Sequence, residues 1–260
     1  MNKFVIFSLF FITFFSLGQT QDVIKNSEFN EKNILKLLFG GSYDIATNHQ
    51  KWKAPVGTFL PIDVDRNAYT QIDTILSFNG VEQSYQLVVT HSSQITEEGN
   101  FEEFVATAPC IGLALFSKQE NEWVLEGFNP VVTLFGIMNY VPEKRIVNIG
   151  PDKHVIAFTQ NINQDVGEEQ WFLIEKNFPS FLEYYYAYPG GEELEKLIYT
   201  KVEPIEVNDE TTGEFFNLKV TQFEETYDEK TDKSKQKILE TKILSPSFDD
   251  FKLKYPYNEK

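Results

Sequence analysis

The chain has 260 residues, of which 42% are hydrophobic and 24% charged, proportions typical of a globular protein rather than a disordered or fibrous one. It carries 39 acidic and 23 basic residues, a formal net charge of −16, which argues against binding to nucleic acid or anionic lipid because both require a basic face. A chain of this length can bury a hydrophobic core without disulfides or metal ions.

Residues 1–18 have the layout of a secretory signal peptide. Lys3 and the amino terminus supply positive charge, residues 4–15 are apolar apart from one Ser and one Thr, and Ser16-Leu17-Gly18 precedes a cleavage site before Gln19. The apolar stretch is short for a hydrocarbon core of ~30 Å, which favours cleavage over a retained membrane anchor. We therefore expect an exported protein, periplasmic or extracellular, with no membrane insertion after cleavage.

Cys110 is the only cysteine, so no intrachain disulfide can form. Its neighbours in sequence are mostly apolar, and an apolar environment raises the pKa of a thiol. We expect Cys110 to be a small buried side chain rather than a nucleophile. Export without disulfides favours a bacterial protein.

Residues 19–50 are predicted to form an N-terminal leader that contains one helix, at 30–39. The apolar face of this helix consists of Ile34, Leu35, Leu37 and Leu38. Ser27 and Asn30 offer capping oxygens at its start, and Gly40-Gly41 is a plausible end.

Residues 51–260 are predicted to form a single β-rich domain, with a C-terminal hairpin module at 205–260 as the alternative division. The clearest element is a hairpin: alternating apolar residues at 72–78 lead into Asn79-Gly80, a strong turn signal, and a return strand at 83–90. Alternation places Ile72, Thr74, Leu76 and Phe78 on one face, and Tyr85, Leu87 and Val89 on one face of the return strand.

Further short strands recur at a spacing of roughly ten residues. They are predicted at 111–116, 123–128, 131–135, 146–149, 154–159, 170–175, 181–188, 214–223 and 237–244. We also expect a type I turn at 150–153, a short helix at 192–197 and an exposed polar hairpin tip at 224–236. The pattern predicts an all-β antiparallel meander, and sandwich, curled barrel and irregular propeller-like forms all fit it.

Catalytic motifs are poorly supported. The three histidines, His49, His91 and His154, lack the short spacing of a zinc site, and we expect His91 and His154 to be ordinary strand residues. His91 and Ser92 would point to opposite faces of a strand, and no G-x-S-x-G motif is present. No single carboxylate stands out as a proton donor for glycoside hydrolysis.

Calcium is the one cofactor for which the sequence offers candidates. Asp63, Asp65 and Asn67 have the alternating oxygen ligands of the first half of a calcium loop. The pattern then fails, because Ala68 occupies the glycine position and Thr74 the position of the bidentate glutamate. A second acidic loop contains Asn163, Asp165 and Glu168. Solvated turns are the alternative interpretation of both loops.

The most unusual segment is aromatic, at 178–188. On a strand, Tyr184, Tyr186 and Tyr188 would share one face, and Trp171 would extend that face if its strand is adjacent. Two interpretations remain: this face packs on the core, or it is a platform for stacking a glycan ring or a peptide.

These features favour a non-enzymatic exported protein that binds a glycan or an envelope protein. The alternatives are a carboxylate-dependent hydrolase of cell-surface polymers and a structural or inhibitory envelope protein.

Overall fold

The computed structural model describes residues 22–54, 66–94, 108–136, 140–163, 166–175, 180–187, 196–205, 215–228, 233–249 and 252–254. These residues form antiparallel β-structure with a curled half-barrel sheet and one short α-helix near the N-terminus, which confirms the predicted all-β class. The helix is α1 (Glu31–Phe39), preceded by a 3-10 turn at Asn26–Glu28. The strands are β1 (Val23–Lys25), β2 (Ser42–Asp44), β3 (His49–Ala54), β4 (Arg66–Asn79), β5 (Ser84–Gln94), β6 (Cys110–Gln119), β7 (Glu122–Leu134), β8 (Glu143–Gly150), β9 (Lys153–Asn163), β10 (Val166–Ile174), β11 (Ser180–Ala187), β12 (Lys196–Ile205), β13 (Asn217–Asp228), β14 (Lys233–Leu244), β15 (Ser247–Asp249) and β16 (Lys252–Lys254).

The predicted helix is confirmed, and so is Asn30 as the cap at its start. The Asn30 side chain accepts a hydrogen bond from the backbone N–H of Asn33 at 3.1 Å, and α1 ends at Gly40, whose φ is +62°. Glycine suits this end because positive φ carries no steric penalty without a Cβ. The other predicted cap is wrong, because Ser27 lies inside the preceding 3-10 turn.

Three sheets hold the described strands. A seven-stranded sheet has the order β1-β7-β6-β5-β4-β3-β2, a six-stranded sheet the order β15-β16-β11-β10-β9-β8, and a three-stranded sheet the order β12-β13-β14. Successive strands are mostly neighbours, as expected for a meander. Among the pairs described, β1 with β7 and β11 with β16 join strands that are not successive, and the pairing of β11 with β16 is also parallel.

The six-stranded sheet packs on both of its faces. On β9, Ile156 and Phe158 share a cluster with Leu87 and Leu113 of the seven-stranded sheet. The alternate residues Val155 and Ala157 share a different cluster with strands of the three-stranded sheet. Because successive side chains on a strand point to opposite faces, an apolar run on β9 supplies two cores at once.

The seven-stranded sheet also has two covered faces. The face that packs against the six-stranded sheet is called the sandwich face, and the opposite one the helix face. On the helix face, Ile34 of α1 packs in one cluster with Val88, Phe116 and Trp123. Helix α1 therefore covers part of this sheet instead of extending away from it.

The predicted hairpin is confirmed as β4–β5, with one correction to its faces. Asn79 pairs with Ser84, and the N–H of Gly80 donates to the carbonyl of Gln83 at 2.9 Å. Leu76 and Phe78 pack on the sandwich face as expected, whereas Ile72 packs on the helix face together with Ile75. A register shift between Ile72 and Thr74 explains the change, because one extra residue inverts the alternation.

The polar segment 224–236 lies at the end of the antiparallel pair β13–β14, as expected of a hairpin tip, but the strands are longer than predicted and include 224–228 and 233–236. Glu224 pairs with Lys237, a cross-strand pair of opposite charge that stabilises this mostly polar segment, and Thr226 pairs with Lys235. Similarly, Lys196 and Leu197 belong to β12 rather than to a helix. The remaining residues of that predicted helix, 192–195, lie outside the described ranges.

Two smaller expectations also need correction. Residues 123–128 and 131–135 were expected to form two strands, but β7 continues through Pro130. The turn at 150–153 is not type I, because Asp152 has a φ of +58° whereas both central residues of a type I turn have negative φ.

A buried carboxylate ties one end of the core between the six-stranded and three-stranded sheets. Glu169 is 5% exposed and accepts hydrogen bonds from Arg145 at 2.9 and 3.1 Å and from Thr159 at 2.7 Å. It also accepts a hydrogen bond from the indole N–H of Trp171. Both carboxylate oxygens therefore have partners, which offsets the cost of burying the charge.

We expect Glu169→Ala to lower the free energy of unfolding by about 2–3 kcal/mol, because it leaves the buried indole N–H of Trp171 and the partly buried Thr159 hydroxyl without this acceptor. Glu169→Gln should lose less, since its amide oxygen still accepts. Glu203, in an exposed ion pair with Lys201 at 2.6 Å, is the control, and Glu203→Ala should change the free energy by less than about 0.5 kcal/mol. Urea denaturation measures all three, and equal losses for the two alanine variants would contradict the role of Glu169.

Candidate functional site: a cleft between two sheets

A cleft lies between the seven-stranded and six-stranded sheets, where the β4–β5 and β8–β9 turns meet. Its volume is about 290 Å³. The lining residues are Phe78, Tyr85, Leu115, Asp152, Lys153, His154, Ile174 and Glu175. It thus combines apolar and aromatic surface with two carboxylates, an ammonium group and an imidazole.

Aromatic rings form one wall of the cleft. Phe78 and Tyr85 are cross-strand partners on β4 and β5, and their rings stack with centroids 5.2 Å apart and planes inclined by 16°. The ring of His154 lies 4.8 Å from that of Phe78. The hydroxyl of Tyr85 accepts a hydrogen bond from the Gln83 side-chain amide at 2.7 Å. This contact fixes the polar end of the tyrosine beside the turn.

Asp152 joins the two turns that border the cleft. Its Oδ1 accepts a hydrogen bond at 2.8 Å from the backbone N–H of Val81, 71 positions away in the chain. Gly80 is closely packed at this junction, because a Cβ there would lie 2.2 Å from Asp152 Oδ1 and 2.9 Å from the ring of Tyr85, so one of these side chains would have to shift. The two turns thus meet closely beside the cleft.

His154 is the buried titratable group of the cleft and is 8% exposed. Burial lowers the pKa of its imidazole below the ordinary value of 6.5, and the nearby Asp152 partly opposes this effect. The ring is therefore neutral at neutral pH, with one nitrogen that donates and one that accepts a hydrogen bond.

Lys153 and Glu175 complete the lining. The Lys153 ammonium also lies 5.4 Å from the ring centroid of Phe215, in the neighbouring core. Pockets for small ligands usually span about 300–1,000 Å³, so this cleft suits a molecule of about one ring. The arrangement can stack against such a ring and exchange hydrogen bonds with its polar edge.

Trp171 is not part of the predicted aromatic platform. Its side chain is fully buried in the core between the six-stranded and three-stranded sheets, so the indole presents no face to solvent. The strand of Trp171 is adjacent to the aromatic segment, since β11 pairs with β10 and brings Tyr186 opposite Glu169. The side chains of Tyr184 and Tyr186, and Tyr188 as a whole, lie outside the described residues, so their part of the platform stays a prediction.

The first calcium loop does not fit the described strand geometry. Asn67 is exposed and lies within β4, paired with Lys53, where a twelve-residue calcium loop would need irregular backbone. Asp63 and Asp65 lie outside the described residues, as does Asp165 of the second loop. Within the ranges that are described, no group of three or more His, Cys, Asp or Glu residues could hold a metal ion.

Cys110 and His91 lie in the β-structure, away from the cleft. Cys110 is 5% exposed, which confirms the expected buried side chain, and burial raises the pKa of its thiol to about 12. His91 lies on β5, 3.0 Å from the side-chain nitrogen of Gln71. Burial lowers its pKa most strongly, His49 and Lys144 lower it further, and Asp73 opposes them.

The chain was compared with protein-family models, curated proteins and solved structures, and none of them matches it. Among the helices of the described residues, none is long and apolar enough to cross a membrane.

We expect the protein to lose stability as the pH falls below 6.5. His91 and His154 have lowered pKa values in the folded state, so below the ordinary value the unfolded chain binds protons more readily and is favoured. His154→Gln should make the dependence of the unfolding midpoint on pH shallower between about pH 7 and 5, and His91→Gln combined with it shallower still. An unchanged slope in the double variant would contradict this assignment.

Proposed function

We propose that this protein is an exported, non-enzymatic binding protein whose cleft accepts a terminal sugar ring of a glycan. The observation that carries the proposal is the combination of the stacked Phe78–Tyr85 wall with the polar groups of Asp152 and His154 in one opening. Export is supported by the signal-like residues 1–18.

The chemistry of the cleft suits a saccharide. A sugar ring has an apolar face that packs on aromatic side chains and hydroxyl groups that need hydrogen-bond partners at its edge. Carboxylates accept from such hydroxyls, and a neutral imidazole both donates and accepts. The volume of about 290 Å³ limits the enclosed part of the ligand to about one ring, so a longer glycan would extend into solvent.

One observation favours a second candidate function, hydrolysis of a glycan. Asp152 and Glu175 both line the cleft, and glycoside hydrolysis uses a pair of carboxyl groups on either side of the bond. We rank binding first because Asp152 Oδ1 is engaged with the N–H of Val81, a contact that joins the two turns.

Titration calorimetry with a panel of monosaccharides and short oligosaccharides tests the proposal. We expect one saccharide to bind, and His154→Gln to weaken it about tenfold, because this variant changes the hydrogen bonds available at the ring edge. Tyr85→Leu should weaken binding by a similar factor, since the stacking surface is lost. The control is Tyr140→Ala, whose ring is 77% exposed and lies outside the cleft lining.

The outcomes separate the alternatives. Binding that persists in the cleft variants but is lost in Tyr184→Ala or Tyr186→Ala would move the site to β11 and overturn the cleft assignment. Release of a sugar product, abolished by Asp152→Asn or Glu175→Gln, would favour the hydrolase. No binding of any saccharide at millimolar concentration would contradict both glycan functions.

A further inference from the structure

A row of polar side chains crosses the helix face of the seven-stranded sheet. The registers place Gln50 opposite Thr70, Thr70 opposite Ser92, and Ser92 opposite Cys110, so one transverse row spans β3 to β6. All four are at most 5% exposed. The Gln50 side-chain amide donates to the carbonyl of Gly40 at the end of α1, which places the row beneath that end of the helix.

Hydrogen bonds connect the middle of this row. The indole N–H of Trp52 donates to Thr70 Oγ1 at 2.7 Å, and Thr70 Oγ1 lies 2.7 Å from Ser92 Oγ. An indole N–H can only donate, so it accepts neither hydroxyl proton. The hydroxyl groups of Thr70 and Ser92 carry two protons, and the hydrogen bond between them uses only one. Within the described residues, one hydroxyl proton of the Thr70–Ser92 pair is thus left without an acceptor.

Two further polar atoms on this face are buried without a hydrogen-bond partner in the described part of the chain. They are Oε1 of Gln50, at one end of the row, and Oγ1 of Thr90, two positions before Ser92 on β5. A buried polar group without a partner is costly, and native proteins usually satisfy such groups with ordered water. The row and the neighbouring Thr90 therefore contain buried polar groups that require another hydrogen-bond partner.

Gly112 shapes the space beside Thr90. Gly112 pairs with Thr90, and a Cβ on Gly112 would lie 2.6 Å from Thr90 Oγ1 and 2.7 Å from the carbonyl oxygen of Pro130. The ladder between β6 and β7 is interrupted at this point, since Ile111 pairs with Thr133 but Leu113 pairs with Asn129. The absence of a side chain at Gly112 and the irregularity in the ladder allow the Thr90 hydroxyl and the Pro130 carbonyl to lie beside the same residue.

We propose that the helix face holds an internal water beside Gly112, bound to Thr90 Oγ1, the Pro130 carbonyl and the Thr70–Ser92 hydroxyl pair. The water accepts the hydroxyl protons of Thr90 and of the Thr70–Ser92 pair and donates one of its own protons to the Pro130 carbonyl. Buried waters in proteins typically make about three such hydrogen bonds. The site lies on the face of the sheet opposite the sandwich face and is independent of the proposed glycan function.

Thr90→Val tests the proposal because valine has nearly the same shape but lacks the hydroxyl. If the hydroxyl binds water, the variant loses a hydrogen bond and its unfolding midpoint should fall by about 2–4 °C. If the hydroxyl has no partner, valine removes an unsatisfied group and the midpoint should rise, which would overturn the proposal. Thr74→Val on β4 calibrates the effect of the same replacement at a half-buried strand position.

Magnetic relaxation dispersion of water nuclei supplies a second readout that does not depend on stability. The number of long-lived waters should fall by one in Thr90→Val and be retained in Thr90→Ser, which keeps the hydroxyl. A crystal structure of the protein should show a single water-sized density beside Gly112. An unchanged water count in Thr90→Val, or density for a larger solute, would overturn the water site.

Discussion

The alternation of side chains along β9 and β10 is the constraint on which the rest of the structure depends. Ile156 and Phe172 face the seven-stranded sheet, while Val155 and Trp171 face the three-stranded sheet. Neither face of these strands can be left in water, because each carries large apolar side chains. Two further sheets must therefore pack against the six-stranded sheet. A one-residue slip would exchange both faces together.

The cleft follows from that stacking and from one long-range hydrogen bond. The sandwich brings the β4–β5 turn to the β8–β9 turn, and the contact from Val81 N–H to Asp152 holds them together. Gly80 allows the close approach, since any Cβ there would collide with Asp152. The polar groups of the cleft thus belong to a junction that is also structural. For this reason His154, which contacts Phe78 but makes no hydrogen bond that joins the two turns, tests binding more directly than Asp152.

Local patterns predicted the elements better than their assembly. The hairpin at Asn79-Gly80 and the helix capped by Asn30 were predictable because turn chemistry and capping act within a few residues. The bulge after Ile72 was not predictable from the sequence, because it depends on the distant segments that pack against each face of β4. The cleft was missed because its walls come from segments some 71 positions apart, and the burial of Trp171 depends on a sheet whose strands follow it in the chain.

Three polar clusters in the described part of the chain differ in how far their hydrogen bonds are satisfied, and this difference distinguishes their roles. At Glu169 every carboxylate oxygen has donors, which indicates a structural tie between strands. On the helix face, Thr90 Oγ1 is buried without a partner among the described residues, a need that the proposed internal water meets. In the cleft, Asp152 is exposed and His154 is nearly buried, so polar groups border an opening that a ligand can enter. The cluster that solvent reaches is in the cleft, whereas the cluster with this unpartnered buried hydroxyl is on the helix face. Of these clusters, the one in the cleft suits recognition of a molecule from outside.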